Sequence, residues 1–87
     1  MLGAKVCRLR RVPKGTILFG MRLKQLRKAK GITQEELAQM VEVKETKTIR
    51  NWERGVHGPQ FHHLEKLAEV LEVSMKDLFD FSKLPKD

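Results

Sequence analysis

Apolar residues recur three and four positions apart along most of the chain, and glycine or proline interrupts the recurrence at short intervals. From Met21 to Lys30 the residues are good helix formers, with Leu23 and Leu26 on one side, and Gly31 stands where a left-handed cap ends a helix. Thr33 has Glu36 three residues on, the signature of a capping box, and Leu37, Ala38 and Val41 supply that second helix with an apolar face. A third helix is predicted from Thr46 to Arg54, stopped by Gly55. Val56-His57-Gly58-Pro59 reads as a loop. Phe61, Leu64, Leu67, Ala68 and Leu71 then mark an amphipathic helix from about Gln60 to Leu71. Ser74 and Asp77 form a second capping-box pattern, opening a short fifth helix through about Asp80. Five short helices with brief connections make an all-α domain.

The first 20 residues follow no single pattern. Lys5–Val12 mixes Val6, Leu9 and Val12 with basic residues, and Thr16–Phe19 is a short β-prone run. Val12-Pro13-Lys14-Gly15 between them suits a type I turn. A basic β-hairpin and a flexible arm both fit, as does an extension placed before a natural start at Met21. The chain is therefore divided into a basic N-terminal extension (1–20), a helical domain (21–80) and a tail (81–87) that is expected to fray around Pro85.

Composition narrows the class. Eighty-seven residues, 40% of them apolar, can bury one modest core. No apolar run approaches the roughly 20 residues of a spanning helix, and the N-terminus lacks the apolar stretch of a secretory signal. A single cysteine, Cys7, excludes an internal disulfide. A soluble, cytoplasmic domain is expected. The net charge is +7, and it is unevenly placed: residues 1–30 hold ten basic groups and no acid. A one-sided field of that kind points to an acidic partner, nucleic acid before membrane. His57, His62 and His63 lie close in sequence without the spacing of a metal set, so no metal and no cofactor are expected. No nucleophile–base pattern or phosphate-binding glycine loop marks an enzyme.

The stretch Leu26-Arg27 … Gly31-Ile32-Thr33-Gln34-Glu35-Glu36-Leu37-Ala38 … Ile49-Arg50-Asn51-Trp52-Glu53-Arg54-Gly55 … Leu71-Glu72-Val73-Ser74 … Asp77-Leu78-Phe79 resembles the helix-turn-helix domain of phage-repressor and Cro-like regulators, the Cro/C1-type or XRE family. The resemblance covers about residues 21–80 and implies a five-helix, lambda-repressor-like fold with 46–54 as the recognition helix. Helical geometry agrees. At 100° per residue, Ile49, Trp52 and Glu53 share one side of that helix, while Lys47, Arg50, Asn51 and Arg54 share the other. Lys47, Arg50 and Asn51 are the candidate base contacts, since Arg and Lys can donate to guanine and Asn can pair with adenine in the major groove. Gln34, Lys44, Thr46, Arg54 and Gln60 are the candidate phosphate contacts; the resemblance makes Gln34 a phosphate clamp that also braces the recognition helix. Lys24 and Lys28 fit either a phosphate contact or a solvated helix face. The family pattern pairs Arg27 with Glu53 as a structural link between the first and third helices, and Trp52 is assigned to the core.

Three departures from the pattern bear on where the recognition helix starts. The chain holds one residue more than usual between Val41 and Ile49. Glu42 stands where the family has a helix-ending glycine, and Glu45 where it has a Ser or Thr cap. The expected function is a sequence-specific, double-stranded DNA-binding transcriptional regulator acting as a homodimer. The alternative is an antitoxin-like or adaptor module in which the same fold serves a protein partner such as a toxin or another regulator.

Overall fold

The computed structural model describes residues 14–85. Its helices run Lys14–Lys30 (α1), Gln34–Val41 (α2), Thr46–Arg54 (α3), Phe61–Leu71 (α4) and Met75–Leu78 (α5), followed by one 3₁₀ turn over Phe81–Lys83. There is no strand among the described residues. Every helix contributes to a single core: Phe19 and Leu23 from α1, Leu37, Ala38 and Val41 from α2, Ile49 and Trp52 from α3, Leu67, Ala68 and Leu71 from α4, and Leu78 from α5. Burying a side chain of this size stabilises the fold by about 1.5–3 kcal/mol, so these positions dominate the choice of structure.

The first helix corrects the reading of residues 14–20. Thr16–Phe19 is helical, not β, and Lys14-Gly15 lies inside α1 instead of in a turn. The division between residues 20 and 21 accordingly falls in mid-helix. Helical spacing sets Phe19 and Leu23 four apart, so both enter the core, and that burial overrides the local β preference of Thr16 and Ile17. The remaining parts of the hairpin and arm readings, residues 1–13, lie outside the described residues.

Caps shape the rest. Thr33 Oγ1 accepts from Glu36 N–H at 3.0 Å and the Glu36 carboxylate accepts from Thr33 N–H at 2.8 Å, closing the capping box. At Ser74 only half of the expected box forms: Ser74 Oγ accepts from Asp77 N–H at 3.0 Å. The Asp77 carboxylate is engaged instead by Arg22 of α1 and by Lys83. Helices α2 and α4 end alike. Glu42 (φ 68°) and Glu72 (φ 60°) take the left-handed conformation, and the next residues, Val43 and Val73, return their N–H groups to the carbonyls of Ala38 and Ala68. Each valine packs against the core, which offsets the strain a non-glycine residue meets there.

The C-terminal residues also differ from the expected frayed tail. Helix α5 stops at Leu78, and Phe81–Lys83 folds back on α1, where Gln25 Nε2 donates to the Lys83 carbonyl at 2.9 Å. Phe81 lies half-buried against the core beside Phe79.

Candidate nucleic-acid interface

Helix α3 is two-faced. Ile49, Trp52 and Glu53 are buried on its inner side, while Lys47, Arg50 and Arg54 are exposed on the outer side and Asn51 is half-buried between. The helix starts at Thr46 although Glu45 supplies no side-chain cap; the Glu45 carbonyl accepts from Thr48 N–H at 3.1 Å. The four outer residues therefore form one ridge of hydrogen-bond donors without an acid in it.

Beneath the ridge lies the group that fixes its height. Arg27 Nε donates to Glu53 Oε2 at 2.6 Å, and a second guanidinium nitrogen reaches Oε1 at 3.3 Å. The remaining Arg27 nitrogen donates to the Ile32 carbonyl at 2.8 Å. Gln34 Nε2 also donates to Glu53 Oε1, at 3.0 Å. The carboxylate thus receives three donors from two other helices, as a buried charge needs.

Of the other expected contacts, Gln34 stands at the first position of α2 and is half-buried by its bond to Glu53. Lys44 is exposed in the turn, and Thr46 is half-buried at the start of α3. Gln60 is the exposed N-cap of α4, and its side chain makes no capping bond. Gln34 and Gln60 thus mark the amino ends of the helices on either side of α3, where free N–H groups favour an anion. Lys24 and Lys28 are exposed on α1.

Arg22 escaped the sequence reading, which counted it only as part of the basic front. It is 4% exposed; its Nε donates to the Asp77 carbonyl and a terminal nitrogen to Asp77 Oδ1, both at 3.1 Å. Its spacing of three from the buried Phe19 is no guide, because the acid that answers it lies 55 residues away. His63 is also more than surface decoration. Its ring lies 5.2 Å from the Trp52 indole and 4.1 Å from the His62 ring, and Nδ1 is buried without a partner. Burial, and secondarily the neighbouring His62, lower its pKa below the usual histidine value. Among the described residues no group of three or more His, Cys, Asp or Glu side chains could hold a metal ion. No described helix is long and apolar enough to cross a membrane.

The family model for the helix-turn-helix matches residues 23–78, most of the chain. The chain belongs to the helix-turn-helix family. This Cro/C1-type family comprises DNA-binding transcription regulators that act on double-stranded DNA, not enzymes. The chain is 35% identical over 69 residues to the control protein C.BamHI of Bacillus amyloliquefaciens, covering 78% of this chain and 84% of that protein. It is 38% identical over 60 residues to an uncharacterised HTH-type transcriptional regulator of Archaeoglobus fulgidus, covering 69% and 84% respectively. The crystal structure of the restriction-modification controller protein C.AhdI from Aeromonas hydrophila superposes on it with a TM-score of 0.68 at 33% identity, over 72% of this chain and 94% of that one. The all-helical architecture of this helix-turn-helix protein is thus shared with a solved relative, and its DNA-binding, regulatory character follows from the family.

Proposed function

We propose that this chain is a homodimeric transcriptional regulator that reads a two-part operator with α3. The observation that carries the reading is the ridge of Lys47, Arg50, Asn51 and Arg54, donors held outward on a helix whose inner face is buried and pinned by Glu53. Lys47, Arg50 and Asn51 touch base edges; Gln34, Lys44, Thr46, Arg54 and Gln60 hold phosphates and set the register. Gln34 has a second side-chain amide N–H left after bonding Glu53, so it can donate to a phosphate while bracing α3. One short helix reads few base pairs, and two subunits about 34 Å apart supply the remaining specificity.

The half-exposed Phe79, with Phe81 beside it, is the face we assign to the second subunit. The likeness to two control proteins, one of them of a restriction–modification system, supports a role in controlling such a system, in the cytoplasm where the DNA lies. Selection of bound duplexes from a random library tests the proposal, with light scattering reporting the mass in solution. Two matching half-sites about one helical turn apart and a dimeric mass are expected. No enriched sequence, or a single isolated half-site bound by a monomer, would overturn it.

A further inference from the structure

We infer that Gly20 is a positioning residue for DNA readout: it lets the backbone of α1 lie directly against the last turn of α3, and so sets how α3 presents Arg50 and Asn51. A Cβ added at Gly20 would overlap the Trp52 carbonyl oxygen and stand 2.7 Å from that of Glu53. Side chains never approach backbone oxygens so closely, and neither oxygen belongs to a flexible group that can turn away. The approach is reciprocal. A Cβ at Gly55, the left-handed cap of α3 (φ 78°), would stand 3.0 Å from the Ile17 Cα and 3.1 Å from its Cγ1. Two glycines, Gly20 within α1 and Gly55 at the cap of α3, thus mark a close crossing, backbone against backbone at Gly20 and Ile17 against backbone at Gly55. The family match begins at residue 23, so Ile17 and Gly20 lie before it.

Helix α1 is held from its far side. Phe19 packs on Phe79 with ring centres 5.4 Å apart, Arg22 is bonded twice to Asp77, and Leu23 is fully buried. Helix α1 therefore cannot simply back away, and a side chain inserted at residue 20 changes how α3 seats against it. The push falls on Trp52 and Glu53, whose neighbours Arg50, Asn51 and Arg54 move with them, whereas Lys47 sits more than a turn away near the other end. Bidentate base contacts tolerate only about 0.5 Å of misplacement. Nonspecific phosphate attraction is far less sensitive to position.

The inference rests on the reading of α3 as the groove-reading helix, and the test separates the two. Affinities of the wild-type chain and Gly20→Ala are measured for the selected duplex, for a scrambled one and for every single-base variant, at a temperature where circular dichroism shows both proteins folded. Leu71→Val, weakened in α4, controls for lost stability. For Gly20→Ala the preference for the selected duplex falls about tenfold or more, the worth of one bidentate contact, and the fall is concentrated at the base steps sensitive to Arg50→Ala and Asn51→Ala. Scrambled-duplex affinity and its salt dependence stay at wild-type values, and Leu71→Val keeps its discrimination. A wild-type chain that binds all duplexes alike overturns the groove-reading assignment and this inference together. A discriminating wild type with an equally discriminating Gly20→Ala overturns this inference alone. Should Gly20→Ala show no cooperative unfolding transition, Ile17→Ala decides. Ile17 is 43% exposed, so its truncation spares the core while removing the side chain that lies beside the Gly55 cap. A roughly threefold loss of discrimination supports the inference, and unchanged discrimination overturns it.

Discussion

Gln34 and Arg27 meet on one oxygen of Glu53: the Gln34 amide donates to Oε1 at 3.0 Å and the Arg27 guanidinium reaches the same atom at 3.3 Å. The first residue of α2 and the inner face of α3 are therefore fixed to each other through a buried charge. Glu53→Ala removes that charge and leaves Arg27, 8% exposed, without its acid. Destabilisation of about 3–5 kcal/mol is expected, read as a lowered urea midpoint, because breaking a buried pair strands the other ion. Affinity for DNA falls too, since Gln34 loses the acceptor that orients it. A variant as stable as the wild type would show that Glu53 does not carry this link.

Arg50→Ala and Asn51→Ala test the outer ridge. Each is expected to lose about 1–3 kcal/mol of discrimination between selected and mismatched duplexes. Binding to scrambled duplex should persist and keep its salt dependence, since phosphate contacts supply it. Both side chains lie away from the core face, so melting temperatures stay within a few degrees of wild type. Equal discrimination by the double variant, measured by fluorescence anisotropy, would remove base reading from these two residues.

Glu42 invites a gain in stability. It adopts φ 68°, a conformation costing an L-residue about 1–2 kcal/mol, while glycine adds about 0.5–1 kcal/mol of chain entropy to the unfolded state. Glu42→Gly should therefore stabilise the protein by roughly 0.5–1 kcal/mol, visible as a higher urea midpoint at unchanged slope. The Val43 return bond to Ala38 needs only backbone and survives the change. A lower midpoint would mean that the glutamate side chain contributes more than its conformation costs.

His63 makes stability depend on pH. Burial against Trp52 lowers its folded-state pKa below the ordinary 6.5, so the unfolded chain takes up the proton first. The stabilisation from the neutral ring is complete above pH 6.5 and is lost as pH falls from there through the lowered folded value. His63→Phe keeps a ring beside Trp52 and removes the proton. Thermal melts across pH 7.5 to 5 should show a shallower decline for the variant than for wild type. Parallel declines would place the titrating group elsewhere.

Most helices were legible because their signals are local. The box at Thr33, the spacing from Leu64 to Leu71 and the two-faced pattern of Lys47–Arg54 each need only a few consecutive residues, and each reappears in the structure, whereas Phe61, read into the same apolar stripe, is 67% exposed. The misreadings are all cases where distant groups decide. Thr16–Phe19 is β-prone by itself and helical because Phe19 reaches Leu23 and Phe79. Asp77 leaves its own N-terminal box for Arg22, and the Lys83 carbonyl is held by α1, so α5 ends early and Phe81–Lys83 folds back instead of fraying. The charge surplus of residues 1–30 was also misleading as a count. Arg22, Arg27 and Lys30 are engaged by Asp77, Glu53 and Glu72, so three of the ten basic groups among the first 30 residues are paired within the fold.

The bond between Arg22 and Asp77 spans 55 residues and ties the first helix to the fifth. During synthesis α1 is complete long before its acid exists, so the Arg22 side chain and the Phe19 face wait for Asp77 and Phe79 to be made. A nascent chain stopped short of Asp77 cannot place the helix that steadies the DNA-reading ridge, even though the ridge itself has already been translated. Competence for DNA therefore waits on the translation of Asp77, well after the recognition helix itself has been made.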